Sequence, residues 1–172
     1  MSKYYAGVGS RDTPSDVLAR ITIGAENMAN GGWILRSGGA TGADDAFERG
    51  CINAGGQKEI YLPKDYHNGR RAFGDYYDCT AFPNWREAYT LAAEFHPNWH
   101  GLGYFTKCLM GRNVYQVLGQ DLMTPVELLL CWTPDGATIG PTRATGGTGQ
   151  AIRIANAHSI SVRNLQKETV IR

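Results

Sequence analysis

The residues of this chain best suited to do chemistry lie in three glycine-rich segments: Gly7-Val8-Gly9-Ser10-Arg11, Ser37-Gly38-Gly39-Ala40-Thr41-Gly42-Ala43-Asp44 and Thr145-Gly146-Gly147-Thr148-Gly149. Glycine allows a sharp turn and lets backbone N–H groups come close to a ligand. A helix that starts there points its unpaired N–H groups and the positive end of its dipole at the same place. That combination suits phosphate. The expected contacts are Gly9, Ser10 and Arg11 from the first segment, Ser37, Gly38, Gly39, Thr41 and Gly42 from the second, and Gly146, Gly147 and Thr148 from the third. Arg11 supplies a bidentate cationic partner. Trp132 and Thr133, at the end of an apolar run, bring an aromatic face on which a base could stack, although a tryptophan there serves a core equally well.

The carboxylates nearest these segments are Asp44, Asp45, Glu48 and Asp135. Asp44, Glu48 and Asp135 are the candidates for acid–base work, and each has a plainer reading. Asp44 stands three residues after Thr41, a spacing that completes a weak capping box. Asp45 and Glu48 fit the watered face of a helix, and Asp135 in Pro-Asp-Gly is what a turn prefers. No catalytic residue is assigned. The chain has no Gly-x-Ser-x-Gly elbow, no P-loop lysine and no Cys/His nucleophile pattern. His96 and His100 have metal-pair spacing, but Pro97 breaks a helix between them. His67, beside Arg70 and Arg71, could touch a phosphate, although a residue of a solvated loop is the plainer reading. The four cysteines form no Cys-x-x-Cys pair and fit apolar patterns, so they read as reduced core thiols. Neither a metal nor a cofactor is expected.

The elements that must hold these residues follow from periodicity. Strand-like runs cover residues 3–8, 33–35, 58–62, 126–132 and 160–165. Helical stripes follow each glycine segment, with Thr13 as the expected N-cap of the first and Thr41 of the second. Further helices are expected over 86–95 and 103–119, the latter apolar on two sides and so buried against more than one neighbour. Such alternation predicts an α/β, Rossmann-like open and mainly parallel sheet of about five strands with helices on both faces. It forms one domain over 1–172 with an irregular insertion at about 63–100, and a tail that frays after Gln166. Ligands of such sheets sit beyond the carboxyl ends of the strands, where strand order reverses. With 17 basic and 16 acidic residues, no global field draws the chain to nucleic acid or membrane, so phosphate binding has to be local. No run is long and apolar enough to span a membrane and no apolar leader opens the chain, which reads as cytoplasmic.

These segments, with Arg112-Asn113-Val114-Tyr115-Gln116-Val117-Leu118-Gly119 and Cys131-Trp132-Thr133-Pro134-Asp135-Gly136, resemble the SLOG superfamily. That superfamily includes the Rossmann-like domain of DNA-processing protein A (Smf) and the Lonely Guy phosphoribohydrolases. In detail the chain looks most like the small stand-alone DprA-like proteins common in phage genomes. The resemblance implies a nucleotide, a nucleotide-derived small molecule or single-stranded DNA in the glycine-lined pocket, and a homodimer. An alternative activity implied by the same resemblance is cleavage of the N-glycosidic bond of nucleoside monophosphates. The Lonely Guy motif Gly-Gly-x-Gly-Thr-x-Glu-Glu is not kept, however. Its two glutamates are Ile152 and Arg153 here, with Gln150 in place of threonine, which removes the carboxylates that would steer charge at the ribose.

Overall fold

The computed structural model describes residues 1–168. The strands β1 (Lys3–Gly9), β2 (Trp33–Ser37), β3 (Lys58–Leu62), β4 (Tyr76–Asp78), β5 (Leu128–Trp132) and β6 (Ser161–Asn164) form one sheet. Its order is β4-β3-β2-β1-β5-β6, and every pairing is parallel. Side chains alternate across each strand, so β1 feeds two cores. Tyr5 packs with Val17, Ile21, Phe47, Leu62, Leu130 and Trp132 on one face, whereas Ala6 and Val8 pack with Val114, Leu129, Cys131 and Ile154 on the other. Helices α1 (Ser15–Asn30) and α2 (Ala43–Asn53) cover the first face; α3 (Trp85–Phe95), α4 (Tyr104–Leu118) and α5 (Thr148–Ala157) cover the second. The architecture is the expected Rossmann-like α/β sandwich. All four cysteines are free and buried.

The sixth strand, β4, comes out of the stretch that reads as an irregular insertion. It is three residues long and lies at the edge, too short to show alternation. The aromatics of that stretch have a packing role: Tyr77, Phe82 and Trp85 gather with Tyr61 and Tyr115, the last two stacked with ring centroids 5.7 Å apart. Residues 63–100 thus extend both the sheet and the core.

Both expected helix caps are corrected. Helix α1 starts at Ser15 behind Pro14 with no side-chain cap, and the Thr13 hydroxyl donates instead to the Ser10 carbonyl at 2.7 Å, closing the first loop on itself. Helix α2 starts behind Gly42, which has φ 85°. A Cβ there would stand 2.6 Å from the Ser10 carbonyl oxygen, so the close passage of the first and second loops requires glycine. At the chain's end Glu168 pairs with Arg163, and the rest of the tail expected to fray, residues 169–172, lies outside the described residues. Among the described residues no helix is long and apolar enough to cross a membrane.

Candidate functional site

Strand order reverses between β1 and β5, and a cavity of about 370 Å³ opens at the carboxyl end of β1 beside that point. Its wall comes from five places. Val8 and Gly9 end β1, and Ser10, Arg11 and Asp12 follow it; Ala40 and Asp44 come from the second loop and the first turn of α2. Helix α4 supplies Thr106, Leu109, Met110, Arg112, Asn113 and Gln116; Thr145, Gly146 and Gly147 precede α5, which adds Thr148 and Ala151. The volume is that of a small-molecule site.

The first two loops are committed to each other. The Asp44 carboxylate accepts the Gly9 amide at 3.2 Å with one oxygen and the Ala40 amide at 3.3 Å with the other. It does not reach back to Thr41. The amides of Gly9 and Ala40 are therefore already taken by an internal anion, 3% exposed. Burial pushes this carboxyl up to about 6, against the pull of the Arg112 charge and of the Ala40, Gly9 and Gly38 amides. The Ser10 amide is spent too, on the Trp132 carbonyl at 3.1 Å, and the Ala43 amide on the Ser10 carbonyl.

The third loop is different. Asp135 accepts the hydroxyls of Thr133 at 2.9 Å and Thr145 at 2.7 Å, and the Ala137 amide. Burial raises its pKa, but these bonds outweigh it and hold the carboxyl below its usual value. So anchored, the segment presents α5 to the cavity, and among the described residues the amides of Gly147 and Thr148 donate to nothing. Arg112, 6% exposed, lines the same cavity. Its Nη1 donates to the Gly38 carbonyl, whereas Nε has no partner. The nearby Gln116 Oε1 is likewise unpartnered. Burial lowers the Arg112 pKa, with Asp44 opposing. Leaving a buried charged group short of a hydrogen bond costs about 1–3 kcal/mol.

Behind the second loop, residues 63–75 act as a buttress. Arg70 donates to Glu48 at 2.8 Å, to Asp45 and to the Gly39 carbonyl, and Tyr76 donates to Glu48. Glu48 is 5% exposed and so does not face water as expected of that helix, whereas Asp45 is half-buried and ion-paired to Arg70. His67 is buried rather than solvated, its ring 6.0 Å from that of Phe105. Burial, then the charges of Arg112, Arg11, Arg70 and Lys64, push its pKa down to about 4, so it is neutral at physiological pH.

Of the expected contacts, Gly9, Ser10, Arg11, Gly146, Gly147 and Thr148 line the cavity. Ser37, Gly38, Gly39, Thr41, Gly42, Trp132 and Thr133 do not. Ser37 is buried with its hydroxyl on the Gly7 carbonyl at 2.6 Å; Gly39 turns its carbonyl to Asn68 and Arg70; Thr41 is exposed. Trp132 packs into the core beneath α1 and α2, so it offers no stacking face to the cavity. Thr133 is held by Asn164 and Asp135. Of the carboxylate candidates, Asp44 alone reaches the cavity wall; Glu48 and Asp135 are bound elsewhere. The contributions of Arg112, Asn113 and Gln116 escape loop-based reading because they sit inside a helix. The signal for them is an uninterrupted buried run in α4 that contains polar side chains where apolar ones belong. Gln150 and Ile152, at the positions of the altered motif, serve packing: Gln150 donates to the Ala92 carbonyl at 2.8 Å and Ile152 is fully buried.

No protein-family model matches the chain, and no curated protein matches it in sequence. Solved structures do match in fold. The molybdenum cofactor carrier protein of Chlamydomonas reinhardtii aligns over 94% of this chain and 75% of its own length, with a TM-score of 0.56 and 18% identity. DNA processing protein A (DprA) of Streptococcus pneumoniae aligns over 94% of this chain with a TM-score of 0.51 and 13% identity. This chain covers 49% of the length of DprA, about half. What the chain shares with both is the fold, an open parallel sheet of the Rossmann-like type with helices on both faces.

Proposed function

We propose that this protein binds a small nucleotide-type ligand through a phosphate seated at the N-terminus of α5. The carrying observation is the meeting of donors in one cavity wall: the unpartnered Gly147 and Thr148 amides and the buried Arg112 guanidinium. Arg11 stands at the rim, exposed and in no ion pair among the described residues. A helix N-terminus and a guanidinium both favour a phosphate dianion. Val8, Leu109, Met110 and Ala151 give the same cavity an apolar side for a flat ring.

A volume near 370 Å³ suits a small molecule, and a net charge of +1 argues against an extended footprint on DNA, which takes a basic surface. Thermal unfolding with a panel of nucleotides, the molybdenum cofactor named by one fold relative, and a short single-stranded oligonucleotide tests the reading. A small ligand at a hundred times its Kd adds about 2.7 kcal/mol, a rise of roughly 5–10 °C in Tm for a chain of this size. Stabilisation by the oligonucleotide alone, falling steeply with salt, would replace it with the DNA-binding reading.

A second, enzymatic reading draws on one observation, the Asp44 carboxyl in the cavity wall with a pKa raised to about 6, where a general acid–base is effective. Release of free base from nucleoside monophosphates, lost in Asp44→Asn, is its test.

A further inference from the structure

Resting on the phosphate seat above, a second feature concerns how many phosphates the cavity accepts. Two sets of backbone amides approach it. One set, at α5, is free; the other, Gly9 and Ala40, closes on Asp44 at 3.2 and 3.3 Å. In the second set the carboxylate stands where an anion from solution would otherwise bind, its two oxygens taking the donors that loops of this kind offer to a phosphate. Asp44 is fixed there by its position in the first turn of α2, where the helix dipole favours a negative charge. We propose that Asp44 is a specificity-determining residue: a built-in anion that fills the amide nest of the first two loops and restricts the cavity to ligands with a single phosphate.

The charges around the cavity agree. Its wall carries Arg11 and Arg112 against Asp12 and Asp44, two of each sign, so it holds no surplus positive charge to offset a chain of phosphates. A second phosphate reaching from α5 toward β1 meets the Asp44 carboxylate in a site of low dielectric, where like charges repel strongly. Replacing Asp44 by asparagine removes that repulsion while keeping the side chain's shape, so a second phosphate is no longer driven from that end of the cavity.

The test is isothermal titration of the parent protein and of Asp44→Asn with inorganic phosphate, pyrophosphate, AMP and ADP at pH 8. In the parent, phosphate and AMP bind at least as tightly as pyrophosphate and ADP; in Asp44→Asn the ratio moves at least tenfold toward the diphosphates. The parent measurements need no variant, so a misfolded Asp44→Asn leaves the idea open to refutation. Diphosphates bound tenfold tighter by the parent, or an unchanged ratio in a folded variant, overturn the role of Asp44 and leave the phosphate seat standing. Binding of none of the four compounds by the parent overturns the seat and this inference together.

Discussion

Asp44 and Gly9, 35 residues apart in sequence, are joined by a hydrogen bond of 3.2 Å from the Gly9 amide to a carboxylate oxygen that also lines the cavity. This bond ties the end of β1 to the start of α2. It also withdraws an amide from any ligand, whereas the phosphate seat proposed at α5 keeps its amides unpartnered.

The Gly147 amide can be removed without disturbing charge. Gly147 has φ −62°, a value proline adopts, and space for a Cβ, its nearest contact being Met110 Cε at 3.8 Å. Gly147→Pro should unfold within about 1 kcal/mol of the parent yet bind phosphate ligands at least tenfold more weakly. Calorimetry beside urea unfolding checks both; unchanged affinity would move the anion away from α5.

Gly38 sets the position of Arg112. A methyl group on Gly38 would stand inside the Arg112 guanidinium and 2.5 Å from Gln116 Nε2. Gly38→Ala should displace both side chains, costing about 1–3 kcal/mol of stability and most of the ligand affinity. Gly38 is not in the cavity wall, so loss of binding there reports on Arg112.

Stability should depend on pH through two buried groups of opposite sign. Folded Asp44 keeps its proton up to about pH 6, whereas an unfolded aspartate releases it near 3.9. Between these values the folded state binds more protons, so this group's contribution declines as pH rises and is fully lost above pH 6, by about 3 kcal/mol. His67 runs the other way: folded, it stays neutral down to about pH 4, while the unfolded residue protonates below about 6.5. Its contribution is full above that pH and lost as pH falls toward 4. Denaturant unfolding from pH 4 to 8 should show Asp44→Asn gaining on the parent as pH rises, and His67→Gln gaining on it as pH falls.

Glu48→Gln separates structure from chemistry. Glu48 accepts Arg70 and Tyr76 away from the cavity, so the change should lower stability by about 1–3 kcal/mol and leave ligand affinity within about twofold. A large loss of affinity or of any base-releasing activity, with stability intact, would restore Glu48 as a functional carboxylate.

Much of this architecture could be read from spacing alone. Apolar runs alternating with helical stripes specify parallel crossovers, and the glycine segments mark the edge of the sheet at which the cavity opens. Edge strand β4 was beyond such reading, because three residues carry no periodicity. Local spacing also makes Thr41 and Asp44 look like a capping pair, Glu48 a solvent-facing residue and Trp132 a stacking platform. Each assignment fails for the same reason: its partner lies far away in sequence, Gly9 for Asp44, Arg70 for Glu48, the helices of the opposite face for Trp132. The sequence determines that many amides are exposed at helix starts, since glycine and helix periodicity are local properties. Which of those amides remain free was decided only when the chain folded, because a hydrogen bond needs its acceptor within about 3 Å, and that distance is set by tertiary packing.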